Sequence, residues 1–346
     1  MVLMVATSAA PLADYPVVVP GRSFRFPADH GAHPDYRTEW WYVTGIVQGA
    51  DGKPLGFQVT FFRTRPPVNA GNASAFAAKQ VLFAHVALSD PATGHILHDE
   101  RAARAGFGLA GAKTGDAEVN IRDWRLVRHA NGSFATRIAA KGFALDLTFT
   151  PSQPPLLQGQ GGYSRKGPKP ADASYYYSIP QMRVSGTIAR GKAAGPVTGK
   201  AWLDREWSSN YLNPAATGWD WTGLNFDDGS ALMAFRIRRK DGVTLWAGGS
   251  YRRANGAVVS FAPGDVALTP ARQWTSPRTG ATYPVAQTLS IRLPEGPRTF
   301  ALTPMMADQE LDARASGLPI YWEGAVTTRG GSGYLELTGY ASPMKM

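Results

Sequence analysis

The sequence contains no cysteine, and charged residues make up only 18% of its 346 residues. Without thiols the protein cannot form disulfides, iron–sulfur clusters or thiolate nucleophiles. Beyond its first residues the chain has no apolar run that approaches the ~20 residues of a membrane-spanning helix. We therefore expect a protein that does not span a membrane.

The chain also lacks helical periodicity and the common catalytic motifs. The nearest helical candidate, residues 305–315, is short and runs into Gly317 and Pro319. There is no Gly-x-Ser-x-Gly elbow, no His-Glu-x-x-His motif, no phosphate-binding loop and no dinucleotide-binding glycine motif. All six histidines lie in the first half of the chain. We therefore expect neither a serine hydrolase nor a metallohydrolase, and no cofactor.

Two groups of histidine and acidic residues raise the question of a metal site. His30 and His33 lie near two aspartates, but the intervening glycine and proline favour a capped turn. Residues 95–100 read His-Ile-Leu-His-Asp-Glu, which fits a turn followed by an exposed strand end better than a set of metal ligands. We predict no metal site.

The net charge of +10 raises the question of a nucleic-acid partner. The arginines, however, are spread along the whole chain. Their one cluster, at residues 236–240, alternates across a strand and leads into the turn at Asp241 and Gly242. Such a cluster is typical of a solvated strand end, so we expect no nucleic-acid partner.

Glycine and proline are abundant, with 38 and 26 residues, and aromatic residues make up 11% of the chain. This composition is typical of a β-rich protein with many turns. Residues 39–47 and 57–63 have strand composition on either side of an Asp-Gly turn, which predicts a hairpin. Further short strands follow at the spacing of an up-and-down barrel. The Gly-, Pro- and Gln-rich segment 153–170 indicates a long connection or a mobile flap.

The second half of the chain repeats the first in order and approximate spacing. Residues 41–46 align with residues 219–224, and residues 199–208 align with residues 333–342. The length of the chain also suits two domains. We therefore predict an all-β fold with two antiparallel β-barrels in tandem. The predicted segments are a leader over residues 1–16, a first barrel over 17–212 and a second barrel over 213–346.

The N-terminal residues 1–13 form an apolar, alanine-rich stretch. It resembles the end of a signal peptide followed by a cleavage site of small residues. We therefore expect an exported protein that is periplasmic or secreted.

A stretch rich in tryptophan and carboxylates begins at Trp202. Asp204 and Glu206 have no acidic counterparts in the second half of the repeat, so the barrel plan does not require them. The two-residue period of a strand places both carboxylates on one face with Trp202, while Leu203 and Arg205 face the other way. These acids either pair with arginines such as Arg205 or Arg37 to lock the joint between the barrels, or they serve a function.

Several motifs resemble those of the AttH-like branch of the carotenoid 1,2-hydratase (hydroxyneurosporene synthase) superfamily, often described as predicted secreted hydrolases. The resemblance extends from about residue 22 to residue 342. The motifs that carry it lie at residues 29–31, 39–45, 56–58, 61–63, 202–208, 218–221 and 334–340. The resemblance implies two lipocalin-like, calycin-type barrels, export from a bacterial cytoplasm, and a link with an ABC-type export system.

Two function classes follow. In the first, the protein binds an extended apolar molecule, lipid- or isoprenoid-like, and works with an ABC-type transporter permease. In the second, it is a lyase or hydratase that adds water to a carbon–carbon double bond of an acyclic isoprenoid-like substrate by acid catalysis. The hydratase motif has histidine where this chain has Arg205, and arginine cannot donate a proton at useful pH. A carboxyl group with a raised pKa in an apolar cavity would favour the enzyme.

We expect the candidate residues to cluster around the joint between the barrels, with Asp220 as the favoured proton donor. Asp220 has apolar neighbours on its strand face, so its pKa should rise unless an arginine reaches it. The candidate catalytic residues are Asp220, Glu206 and Asp204, and the candidate ligand-binding residues are Trp41, Trp202, Trp207, Trp221 and Glu39.

Overall fold

The computed structural model describes residues 15–67, 72, 74, 76–191, 193–210 and 212–344. Residues 1–14, which contain most of the predicted leader, lie outside the described residues. Among those described there is no α-helix, and no helix is long and apolar enough to cross a membrane.

The described chain consists of β-strands joined by turns, with short 3-10 helices at Ala28–His30, Pro263–Asp265 and Arg314–Ser316. The strands are β1 (Thr38–Gly49), β2 (Pro54–Thr64), β3 (Val81–Ser89), β4 (Leu97–Arg104), β5 (Ala110–Ala112), β6 (Glu118–Ile121), β7 (Trp124–Arg128), β8 (Phe134–Ala140), β9 (Phe143–Thr150), β10 (Leu156–Leu157), β11 (Tyr163–Arg165), β12 (Ala173–Arg190), β13 (Ala193–Asn210), β14 (Ala216–Phe226), β15 (Ala231–Arg239), β16 (Thr244–Arg252), β17 (Val258–Phe261), β18 (Val266–Thr275), β19 (Thr282–Leu293), β20 (Gly296–Pro304), β21 (Glu310–Asp312), β22 (Ile320–Thr328) and β23 (Gly331–Leu337).

The strands form two antiparallel sheets of the same plan. In the first, the order is β4-β3-β2-β1-β13-β12-β9-β8-β7-β6-β5, and in the second it is β17-β16-β15-β14-β23-β22-β20-β19-β18. In each sheet the strand that comes first in the chain pairs with the strand that comes last, β1 with β13 and β14 with β23. This pairing nearly closes the first sheet into a barrel. We call β1–β13 the first barrel and β14–β23 the second. The predicted fold class, all-β with two lipocalin-like antiparallel barrels in tandem, is confirmed.

The two strand orders correspond from β4 to β7 and from β17 to β18, and β6 and β5 have no counterpart in the second sheet as described. The predicted alignment of β1 with β14 is wrong by one residue. Val47 lies opposite Gly199 in the first barrel, and Leu224 lies opposite Gly333 in the second. Val47 and Leu224 are therefore equivalent, whereas the sequence alignment pairs Leu224 with Ile46. A slip of one residue moves a side chain to the opposite face of a strand, so the alignment matched inward with outward positions.

Each barrel is filled by its own apolar core. The first core includes Val43, Phe57 and Leu147, and the second includes Leu224 and Leu289, all with no measurable exposure. Tight strand pairing leaves no room for a side chain at the two equivalent glycines, since a Cβ on Gly199 or Gly333 would lie within 2.2 or 1.8 Å of a backbone carbonyl oxygen. The two apolar cores stabilise the sheets, and the candidate site described below lies outside them.

One buried ion-pair cluster ties the N-terminal segment to the first barrel. Glu39 accepts hydrogen bonds from the side chains of Arg63 and Arg205 and from the backbone N–H of His33, at 3.0 Å in the last case. Burial opposes ionisation of Glu39, but the two guanidinium groups hold its pKa well below the usual range. Arg205 also stacks on the ring of Trp41, 3.9 Å from its centroid. Glu39 therefore supplies the counter-charge for both arginines.

Replacing Glu39 by glutamine should destabilise the protein strongly. The change leaves two buried guanidinium groups without their counter-charge, which typically costs about 3–5 kcal/mol. Urea unfolding followed by circular dichroism measures it. The matched control is Glu118→Gln, whose partner Lys113 lies 3.3 Å away in an exposed pair. That change should cost no more than about 1 kcal/mol. Equal stability of the two variants would contradict this account of the cluster.

Candidate active site between the barrels

A cavity of about 130 Å³ lies where the outer faces of the two barrels meet. Strands β1, β2, β12 and β13 supply its wall from the first barrel, and β14, β15, β22 and β23 supply the wall from the second. Aromatic side chains and carboxyl groups dominate the lining. Those from the first barrel are Trp40, Tyr42, Phe62, Tyr176, Asp204 and Glu206, and those from the second are Trp219, Trp221, Phe235, Tyr321, Glu323 and Glu336.

Strand β13 places acids in this cavity by simple alternation. Asp204 and Glu206 point outward into the cavity, with Trp202 beside them in the apolar cluster between the barrels. Leu203 points into the first core and Arg205 reaches Glu39 on the same inner side. The predicted assignment of the two faces of this strand is confirmed.

Among the described residues, the hydrogen-bond donors to Asp204 are all uncharged. Its Oδ1 accepts hydrogen bonds from Trp202 Nε1 at 2.7 Å and from Ser178 Oγ at 2.5 Å, and its Oδ2 accepts one from Tyr176 Oη at 2.6 Å. Burial raises the pKa of Asp204 to about 7, even though these hydrogen bonds favour the ionised form. Asp204 therefore titrates near neutral pH.

Glu323 and Glu336 form a carboxyl pair on the facing wall. They lie directly opposite each other on β22 and β23, which places their Cβ atoms about 5 Å apart. Burial raises the pKa of Glu323 well above its usual value, and the neighbouring Glu336 raises it further. Desolvation raises the pKa of Glu336 to about 7, although Trp219 Nε1 donates to its Oε2 at 3.0 Å. Glu323 therefore keeps its proton to a higher pH than an ordinary glutamate does.

Glu206 differs from these three because it has a cation beside it. Lys166 Nζ lies 3.1 Å from Glu206 Oε1, and Ser174 donates a hydrogen bond to the same oxygen. Neither Arg37 nor Arg205, the partners predicted from sequence, fills this role. The alternative in which arginines pair with Asp204 and Glu206 at the joint between the barrels is thus wrong, because the cation beside Glu206 is Lys166.

Lys166 comes from the segment that was predicted to be a long connection or a mobile flap. Within it, β10 and β11 pair with β12, and Gln158 donates to Ser178 Oγ while accepting from Ser250 of the second barrel. Gln153 Nε2 also donates to the carbonyl of Gly229 at 2.9 Å. The segment is a strap that crosses from the first barrel to the second, and it carries Lys166 into the cavity.

The structure brings four of the predicted site residues to the cavity and leaves four elsewhere. Asp204, Glu206, Trp202 and Trp221 lie in or beside it. The residues that lie inside a barrel are Glu39, Trp41 and Trp207 in the first, and Asp220 in the second. Trp207 shares the face of Leu203 and Arg205, which the structure shows to be the inner one, and Trp41 lies on the inner face of β1 with Val43.

Asp220, the proton donor favoured from the sequence, forms ion pairs with two arginines inside the second barrel. Its Oδ2 accepts from Arg236 Nε at 2.7 Å and its Oδ1 from Arg238 Nε at 2.9 Å. Tyr340 Oη donates to Oδ1 at 2.9 Å. The pKa of Asp220 was predicted to rise unless an arginine reached its carboxylate, and the structure shows that two arginines do. Alternation turns Trp219 and Trp221 toward the cavity and Asp220 away from it.

Sequence reasoning missed Glu323, Glu336 and Lys166. The repeat contained a signal for Glu336, because the alignment of β13 with β23 matches it with Trp202, which was itself a candidate. Glu323 is the single charged residue in an apolar run next to Trp322, and this isolation is the sequence signal that could have found it. Lys166 had no such signal, since only the path of the strap brings it to the cavity.

The raised pKa of Asp204 predicts a pH-dependent stability. The unfolded chain ionises this group from about pH 4, near its model value of 3.8, while the folded chain resists ionisation until about pH 7. Asp204 therefore costs stability increasingly as pH rises through this window, by an amount on the order of 2–4 kcal/mol above it. Asp204→Asn should remove this loss, so urea unfolding should show the variant gaining on the wild type between about pH 4 and about pH 7.

The matched control is Asp146→Asn, because the Asp146 side chain is 70% exposed. It should leave the pH profile of stability unchanged. A wild type and an Asp204→Asn variant with parallel profiles would contradict the assignment of a raised pKa.

The family model for AttH-like proteins matches residues 17–340. A search of curated proteins found no match. Among solved structures, the chain is similar to a protein of Nitrosomonas europaea assigned provisionally as an AttH. The two are 53% identical, with a TM-score of 0.86 over 96% of this chain and 99% of the other.

Two more distant structures share the fold alone. Kievitone hydratase from Nectria haematococca is 14% identical, with a TM-score of 0.68 over 96% of this chain and 97% of its own. CghA, solved with Sch210972, is 16% identical, with a TM-score of 0.57 over 96% of this chain and 98% of its own. The resemblance predicted from the motifs is confirmed, and the chain belongs to the AttH-like family.

Proposed function

We propose that the protein is a hydratase that adds water across a carbon–carbon double bond of an apolar, isoprenoid-like substrate by acid catalysis. One observation carries the proposal. Asp204, Glu323 and Glu336, whose pKa values are all raised, converge on one aromatic-lined cavity. Groups that titrate near neutral pH are suited to proton transfer. The likeness to kievitone hydratase is consistent with the same reaction class.

The alternative, a carrier that binds an extended apolar molecule, fits the cavity less well. An engineered protein cavity of about 150 Å³ accommodates benzene. The space of about 130 Å³ between the barrels therefore encloses one short section of a substrate, such as a branched alkene terminus, and not a long tail. A carrier also has no need for acids that cost stability when they ionise.

The carboxyl pair supplies a balanced proton cycle. In its protonated form, Glu323 donates its proton to one alkene carbon, so that a C–H bond forms and the π bond breaks. Water attacks the resulting carbocation to form the C–O bond. The ionised Glu336 accepts the proton that this water loses, and the proton returns to Glu323 across the strand pair.

Asp204 and the aromatic walls stabilise the positive charge. Asp204 belongs to the opposite wall of the cavity and is an anion once its proton is lost. Tyr42 and Trp221 pack edge to face with ring centroids 5.3 Å apart. Aromatic faces attract cations, and the effect is larger where water is excluded. The site thus favours the charged intermediate over the neutral alkene.

Glu323→Gln should abolish hydration while leaving the fold intact. Glutamine keeps the size of the side chain but has no proton to donate, and the loss of a general acid typically costs about 100- to 10,000-fold in rate. The assay incubates wild type and variant with an acyclic isoprenoid alkene, myrcene, in heavy water and detects the deuterated alcohol by mass spectrometry. The wild-type rate should rise through about pH 7, where Glu336 ionises.

The control is Asp220→Asn, which removes an acid of the second barrel that does not line the cavity. It should lower stability and leave the rate per folded molecule unchanged. Turnover that survives in Glu323→Gln, or that is lost in folded Asp220→Asn, contradicts the assigned roles. Absence of turnover by the wild type on myrcene and its longer homologues overturns the proposed function.

We also propose that the protein is exported and linked to an ABC-type export system. The apolar stretch over residues 1–13 and the family resemblance support this proposal. Residues 1–20 fused to an alkaline phosphatase that is active only outside the cytoplasm should give activity in a bacterial host. Replacement of Leu3 and Val5 by arginine should abolish it, because charges prevent insertion of the apolar region. A fusion with no activity would contradict export.

A further inference from the structure

The cavity contains three buried acids that have no cationic partner among the described residues. Buried Glu39 and Asp220 each have two arginine partners. In contrast, Asp204 and Glu336 have hydroxyl or indole donors, and Glu323 accepts from Gln58 Nε2 at 2.7 Å. Within the described residues, no lysine or arginine forms an ion pair with any of these three. The one lysine that lines the cavity, Lys166, is already neutralised by Glu206.

Three polar atoms of the cavity lining, two from the first barrel and one from the second, also have no hydrogen-bond partner of normal geometry among the described residues, although the Tyr42 hydroxyl and the Glu323 carboxyl face each other. They are the hydroxyl of Tyr42, Oε1 of Gln58 and Oε1 of Glu323. All three side chains line the cavity and are at least nine-tenths buried, with 7%, 1% and 1% exposure. Unpartnered buried polar atoms are rare because each costs free energy. These three are all oxygens, which can accept a hydrogen bond or face a positive charge.

The aromatic walls already hold one ammonium group. Lys166 Nζ lies 4.2 Å from the ring centroid of Phe235 and 4.6 Å from that of Tyr176. Such distances are within the range of cation–π attraction. The ammonium group of Lys166 therefore shows that a cation can be accommodated between these rings.

We infer that the cavity is a binding site for an organic ammonium ion, with Asp204 and Glu336 as counter-charge and the aromatic rings as walls. Aromatic walls favour an alkylated cation over a hydrated metal ion, which would need oxygen ligands on all sides. The inference rests in part on the proposed function, because an alkylammonium ion has the charge and shape of the carbocation in the hydration step. It is tested by binding alone, without turnover.

The probe is choline, and its matched control is 3,3-dimethylbutan-1-ol, which has the same shape without the charge. Titration calorimetry should show choline binding at least about 10-fold more tightly. Its affinity should rise between about pH 6 and about pH 8, because Asp204 and Glu336 lose protons there. Proton release should appear as an enthalpy that depends on the buffer. The other titratable side chains that face the cavity are Glu323, Glu206, Lys166, His85, Tyr42, Tyr176 and Tyr321.

Two variants with opposite expected effects separate charge recognition from misfolding. Glu336→Gln should weaken choline binding about 10-fold and leave the neutral alcohol unchanged. Lys166→Met removes the resident cation and frees Glu206, so it should strengthen choline binding. A gain of affinity cannot result from loss of structure.

The inference is overturned if choline and the neutral alcohol bind equally, or if choline affinity does not change with pH. It is likewise overturned if Lys166→Met weakens choline binding. Choline binding without hydration of myrcene would overturn the proposed function and support an ammonium compound as the ligand itself. Hydration without choline binding would overturn this inference and leave the proposed function standing.

Discussion

The two-residue period of β13 is the constraint on which the rest of the structure depends. It separates Arg205, which faces the inside of the first barrel, from Asp204 on the outside. The inner face builds an ion pair with Glu39 that is fully compensated, and the outer face leaves its acid with neutral donors. One strand thus produces a stabilising cluster and a reactive one, a few ångströms apart, because neighbouring side chains cannot share a face.

The features that the sequence predicts well are those set within one strand or one element. The antiparallel fold, the order of the repeated strands and the two faces of β13 all follow from local alternation and turn signals. Trp202, Asp204 and Glu206 were placed together for this reason. The prediction that these acids face a functional surface did not need the fold of the second barrel.

The features that could not be predicted depend on which strands meet and in which register. The pairing of Glu323 with Glu336 exists only because β22 and β23 align those two residues. Asp220 looked like a free acid in sequence, since Arg236 and Arg238 come from the neighbouring strand and join it only after pairing. Strand register can be predicted where only one face of a strand is buried. In this chain strands bury one face in a barrel core and the other in the apolar interface between the barrels, so the hydrophobic pattern does not distinguish the two faces.

The candidate site depends on the presence of both barrels. Apolar side chains pack inside each barrel, and the acids of the cavity lie between the two. The first barrel contributes Asp204 and the second contributes Glu323 and Glu336, while Lys166 reaches the cavity on the strap that joins the two. Neither half holds the full set of acids. Beyond the effect of burial, Glu336 raises the pKa of its neighbour Glu323 on the second wall, and Asp204 raises that of Glu336 from the facing wall, so the acids of the two barrels act on one another only when the barrels are packed together.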